Sequence, residues 1–136
     1  TDVVREAAQY LNYVLFDIKH MDPEVHKKHT GMPNDLILKN FQTLVTEFPD
    51  LPITARTPVI PGFNDHGPDI KAICDFLKPF GHVKYEMLPY HRLGTQKYTF
   101  LDRVPPMGDV TLDDKKFAAL QKIAVATLGD RVIIPR

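Results

Sequence analysis

The chain has 136 residues, 43% of them hydrophobic, enough for one domain, or a piece of one, with a real core. Its 17 basic and 17 acidic residues leave no net charge, which argues against a nucleic-acid surface or a polybasic membrane patch. No apolar run is long enough to span a bilayer, no signal peptide is visible, and one cysteine, Cys74, excludes an internal disulfide framework, so the expected compartment is the cytoplasm.

The chain opens inside a helical pattern. Asp2–Leu11 carries Val3, Val4, Ala7, Ala8 and Leu11 at helical spacing. Such a start predicts a single fragment over 1–136, cut from a longer protein. Tyr13–Lys19 reads as a strand. Alternation puts Val14, Phe16 and Ile18 on one face, for packing under helices, and Leu15, Asp17 and Lys19 on the other. A carboxylate and an ammonium on an interior face are costly unless paired or holding something. Polar groups at the carboxyl ends of strands in α/β folds are where chemistry usually sits.

Asp22-Pro23 is a helix start, and the short helix it opens stops at Gly31. Asn34 is expected to cap a helix over Asp35–Phe48, with Leu36, Ile37, Leu38, Phe41, Leu44 and Val45 as a wide buried stripe. Ile53–Val59 is the second strand, ending in the turn IPGFND. A helix over about His66–Pro79 buries Ile70, Ile73, Cys74 and Leu77, and Val83–Leu88 is the third strand. A long loop follows from Pro89. Thr111 is expected to cap a last helix, with Asp113 and Asp114 in its first turn, and Arg131–Ile134 closes the chain as a short strand.

Strands alternating with helices imply parallel βα units whose carboxyl ends share one rim. Three main strands cannot close a barrel, which takes about eight. The predicted fold is therefore α/β, an open arc of parallel strands with outer helices. Its rim gathers Asp17, Lys19, Arg56 and His91. Lys and Arg suit a carboxylate, Asp an amine, hydroxyl or cation, and His a hydrogen bond, so the ligand is a small anion or zwitterion.

Three segments in order, VLFDIKHMDPEVHKKHTG, TPVIPGFND and LPYHRLGTQKY, resemble the later half of the glycyl-radical-enzyme activating enzymes, of which the pyruvate formate-lyase activators are the best known. The resemblance covers nearly the whole chain. It implies the carboxyl-terminal portion of a radical S-adenosylmethionine partial (β/α) barrel. In that family a 4Fe-4S cluster reduces S-adenosylmethionine, and the resulting radical removes a hydrogen atom from a glycine of a partner enzyme. By resemblance, Asp17, Ile18, Lys19 and His91 contact S-adenosylmethionine, Asp17 also helps hold a monovalent cation, and Arg56 lies near the partner's glycyl-loop peptide. The implied partner is a glycyl-radical enzyme of the pyruvate formate-lyase type. The family's Cys-x3-Cys-x2-Cys motif and Gly-Gly-Glu segment are absent from these residues. The 4Fe-4S ligands are thus expected outside this chain, which by itself should be inert.

Other readings stand beside these. Asp17 and Lys19 can form a structural ion pair, and Arg56 can merely neutralise Glu86 across the sheet. His20, His26 and His29 are crowded, but solvated helix histidines are preferred to a metal site. Cys74 reads as a small buried hydrophobe. Lys19 as a Schiff-base lysine of an aldolase-like barrel, and a non-enzymatic metabolite- or protein-binding domain, are the alternative functions. The first strand should present an open edge through which the chain self-associates.

Overall fold

The computed structural model describes residues 1–92, 94–105 and 107–134. The elements are α1 (Asp2–Ala8), β1 (Val14–Asp17), α2 (Pro23–Thr30), α3 (Asp35–Glu47), β2 (Ile53–Val59), α4 (Gly67–Leu77), β3 (Lys84–Pro89), α5 (Thr95–Phe100), α6 (Asp114–Leu128), a 3-10 turn (Gly129–Arg131) and β4 (Val132–Ile133). The four strands form one parallel sheet in chain order, β1-β2-β3-β4. Strands added always on the same side, with right-handed crossovers, keep their connecting helices on one face.

Burial follows that rule. Ile53, Ala55, Thr57, Val59, Tyr85 and Met87 face the helices and are at most 2% exposed. The opposite face is open, with Leu15 51% exposed. Phe41 of α3 is fully buried and meets Phe16, Phe76 and Phe80 at ring distances of 5.2, 5.6 and 5.9 Å. Truncating such a residue to alanine costs about 3–5 kcal/mol. Ile70, Ile73, Cys74 and Leu77 of α4 and Leu120, Ala124 and Leu128 of α6 complete the core.

Local signals explain the helix ends. Asp22 Oδ1 accepts from the amides of Glu24 and Val25 at 2.8 and 2.9 Å, with Pro23 in the first turn. Gly31 ends α2 at φ 88°, where a Cβ would be strained.

Several expectations are corrected. The first helix ends at Ala8, not Leu11, and β1 covers only Val14–Asp17. Leu36 is 59% exposed and lies off the buried stripe of α3. Asn34 stands at the start of α3 without capping it, because its amide is drawn to the carbonyls of His20 and Met21. Asp113, not Thr111, caps α6, accepting from the Lys116 amide at 2.7 Å. The loop after β3 contains α5, whose residues lack an apolar stripe and bury nothing. Arg131 belongs to the 3-10 turn, so β4 is two residues long.

Candidate functional site

The rim begins where the β1–β2 ladder stops. The amide of Ile18 donates to the Arg56 carbonyl at 2.8 Å. In a parallel ladder the Ile18 carbonyl would next accept from residue 58. That residue is Pro58, which has no N–H. Side chains take over. Thr57 Oγ1 donates to the Ile18 carbonyl at 2.7 Å, and Asn64 Nδ2 to the Lys19 carbonyl at 2.7 Å. Asn34 Nδ2 donates to the His20 and Met21 carbonyls at 2.7 and 3.0 Å. Four successive carbonyls are held by three buried polar side chains, so the segment leaving β1 is fixed without belonging to the sheet.

Register places three charged residues in one row, Asp17, Arg56 and Glu86. The guanidinium bonds Asp17, from Nε at 3.3 Å and Nη2 at 3.1 Å, both to Oδ1. Arg56 therefore pairs with Asp17 and not with Glu86. Both partners are about one-third exposed on the open face of the sheet. Among the described residues no donor reaches Asp17 Oδ2, and Lys19 forms no ion pair. The pair of Asp17 with Lys19 considered from the sequence is thus absent among them. Ile18 is 1% exposed and packs on the helix side.

His91 is exposed and follows β3, two strands from β1 and so about 10 Å away across the sheet. It lines a cleft of about 350 Å³ with Tyr90, Arg92, Thr95 and Tyr98. No hydrogen bond or ion pair among the described residues joins it to Asp17 or Lys19. A ligand touching all three has to be elongated, with a polar group at each end. S-adenosylmethionine meets that condition, with an amino-acid end and a nucleoside end, and the donors and acceptors present suit it. The cluster does not fit: the chain has one cysteine. Cys74 is fully buried under the sheet, and burial pushes its thiol up to about 11.

Of the three histidines expected to be solvated, only His29 is exposed. His26 is buried, with Nδ1 2.7 Å from the Met32 carbonyl. His20 is also buried. Its Nδ1 accepts from the Asp22 amide at 2.9 Å, which leaves Nε2 protonated, 3.4 Å from Asp69 Oδ1. His20 and His29 stack on Phe63, at 5.5 and 4.5 Å, and His20, Phe63 and Asp69 line a cleft of about 620 Å³. Among the described residues no three His, Cys, Asp or Glu side chains gather as a metal site. No helix among them is long and apolar enough to cross a membrane.

Sequence reasoning missed the anchoring roles of Thr57 and Asn64 at the rim, and that of Asn34 beyond it. The available signal was Pro58, a proline inside a strand pattern, which must leave a carbonyl of a neighbouring strand for some other donor.

No protein-family model matches the chain. It is 60% identical over 135 residues to the isethionate sulfite-lyase activating enzyme of Desulfovibrio desulfuricans, covering 99% of this chain and 43% of that protein. It is 44% identical over 114 residues to the (2S)-3-sulfopropanediol sulfolyase activating enzyme of Bilophila wadsworthia, covering 84% of this chain and 38% of the relative. A solved domain of pyruvate-formate lyase-activating enzyme from Bacteroides vulgatus superposes with a TM-score of 0.76 at 26% identity, over all of this chain and 74% of that one. The chain spans less than half the length of the curated relatives it matches. Over that span it is a homologue of the glycyl-radical-enzyme activating enzymes.

Proposed function

We propose that the chain is the carboxyl-terminal part of a radical S-adenosylmethionine activase that installs a glycyl radical on a partner lyase. The observation that carries this reading is 60% identity, over nearly every residue here, to an isethionate sulfite-lyase activating enzyme. Asp17, Lys19 and His91 hold S-adenosylmethionine across the rim. Lys19 meets a carboxylate, Asp17 offers Oδ2 to a hydroxyl, an ammonium or a monovalent cation, and His91 supplies a hydrogen bond at the far end. Ile18 acts as the buried spacer between the two charged residues. Arg56 orients Asp17 and faces the partner's peptide. Cluster and S-adenosylmethionine, bound together, supply the hydrogen-atom abstraction, and the cluster's ligands come from residues outside this chain.

The partner is inferred from the gradient of identity. It is 60% toward an isethionate sulfite-lyase activator, against 44% toward a sulfopropanediol sulfolyase activator and 42% toward a 4-hydroxyphenylacetate decarboxylase activator. An isethionate sulfite-lyase is therefore favoured as the partner over the pyruvate formate-lyase type that the motifs alone suggested. The aldolase and non-enzymatic alternatives gain no observation of their own.

The test uses the full-length protein, cluster-reconstituted without oxygen, with S-adenosylmethionine, a reductant and isethionate sulfite-lyase. Electron paramagnetic resonance is expected to find a glycyl radical on the lyase, and far less on pyruvate formate-lyase under the same conditions. No radical on any lyase, with the cluster intact, would overturn the reading.

A further inference from the structure

Asn64 has no assigned role, yet its side chain is fully buried, and both of its donors and one acceptor direction are used inward. Oδ1 accepts from the Ile60 amide at 2.7 Å. Nδ2 donates to the Lys19 carbonyl at 2.7 Å and to the Pro58 carbonyl at 3.0 Å. Two carbonyls on one side and an amide on the other define which end of the amide is which. One side chain thus ties the turn after β2 to the residue that leaves β1.

The tie is needed because of Pro58. It ends the backbone ladder one residue before Lys19, and backbone pairing no longer sets where Lys19 stands. Thr57 holds Ile18, and Asn64 holds Lys19 itself. Asn34 does the same chemistry, one buried amide on two carbonyls, but for His20 and Met21, beyond the site.

We propose that Asn64 is a positioning residue for Lys19: it pins the Lys19 main chain to the end of β2 and so sets the point beside Asp17 from which the ammonium reaches S-adenosylmethionine. This rests on the rim being the S-adenosylmethionine site. Behind metal ligands, losing a side chain that orients the binding group typically changes affinity by about tenfold or more, and the same order is expected here.

The test compares Asn64→Asp with Asn34→Asp in the full-length, cluster-reconstituted protein. Each change keeps the shape and one acceptor, replaces both donors with a carboxylate oxygen and adds a buried negative charge, so the two variants control for one another. Two quantities are read: S-adenosylmethionine affinity by equilibrium dialysis, and the melting temperature. Both variants should melt lower than the parent. Asn64→Asp should lose about tenfold or more in affinity, while Asn34→Asp stays within about twofold of the parent. Equal affinities for both variants, whether reduced or unchanged, would overturn the proposal. Should Asn64→Asp fail to fold, Asn64→Ser, smaller and with one donor, is measured in its place against the same two outcomes. A parent protein that binds no S-adenosylmethionine overturns the functional reading and this inference with it. A parent that binds while Asn64 variants bind equally well overturns this inference alone.

Discussion

Arg56 and Asp17 are register partners on adjacent strands, and both contacts from the guanidinium fall on Oδ1 of the carboxylate. The pairing orients Asp17 and leaves Oδ2 without a donor among the described residues. Because both groups are about one-third exposed, solvent screens the pair and its net stabilisation is modest, about 0–1 kcal/mol. Arg56→Met is therefore expected to leave the melting temperature nearly unchanged. In the full-length protein it should still lower radical yield on the partner lyase severalfold, read by electron paramagnetic resonance. A variant that melts much lower at unchanged yield would make the pair structural.

Tyr85 has a fully buried hydroxyl that makes no well-formed hydrogen bond among the described residues, although Thr57 is near enough to pull slightly on its pKa. Burial raises its pKa well above the usual phenol range. A buried unsatisfied polar atom costs about 1–3 kcal/mol. Tyr85→Phe removes that atom and keeps the ring, so it should raise the melting temperature. A lower one would mean that the hydroxyl has a favourable contact, with Thr57 the nearest candidate on the helix-facing side of the sheet.

Asp65 ties the turn after β2 to α6. Its carboxylate is 6% exposed and bonds Lys116 Nζ and, at 3.0 Å, the Gly62 amide. Burial pushes its pKa up, but the Lys116 and Gly62 hydrogen bonds and the nearby Lys116 and His66 charges outweigh burial and hold it below the ordinary value. A carboxyl with a depressed folded pKa contributes stability that is fully present above its unfolded value, about 4, and lost as pH falls through the lower folded value. Melting curves should therefore show an acid limb below about pH 4. Asp65→Asn should flatten that limb and cost about 1–3 kcal/mol at neutral pH. An unchanged acid limb would remove Asp65 as its source.

Cys74 is fully buried in α4, and its thiol is held as the neutral form up to about 11, chiefly by burial with the Asp75 charge adding to it. The thiolate is the reactive species. A disulfide reagent at neutral pH should leave Cys74 untouched in the folded protein and react with it only after denaturant is added. Rapid labelling of the native fold would place that face of α4 in contact with solvent.

The sequence carried the fold well where periodicity and caps were strong. α2 is marked at both ends by Asp22-Pro23 and Gly31, and β2 has the predicted limits because Pro52 and the turn after Val59 bound an apolar run. That Leu15 and Asp17 share one face of β1 followed from alternation, but the interior environment expected for that face did not hold, since it is open here with Leu15 51% exposed. What stayed hidden depended on tertiary partners. Asn34 stands at a helix start, yet its side chain serves carbonyls 13 and 14 residues earlier, which no local rule can anticipate. Arg56 has an acid in register on each side, and only the fold selects Asp17 over Glu86. α5 escaped because Thr95–Phe100 has no buried side and no side-chain cap. Asn64 looked like a turn residue, and its role becomes visible only once Pro58 is seen to end the ladder.

The most direct test of the account is a crystal structure of the full-length protein with S-adenosylmethionine bound. The ligand should lie over the carboxyl ends of β1 to β3, its amino-acid end near Asp17 and Lys19 and its nucleoside end reaching His91. Ligand bound elsewhere, for example in the cleft beside His20 and Asp69, with Asp17 Oδ2 and Lys19 facing only solvent, would contradict it.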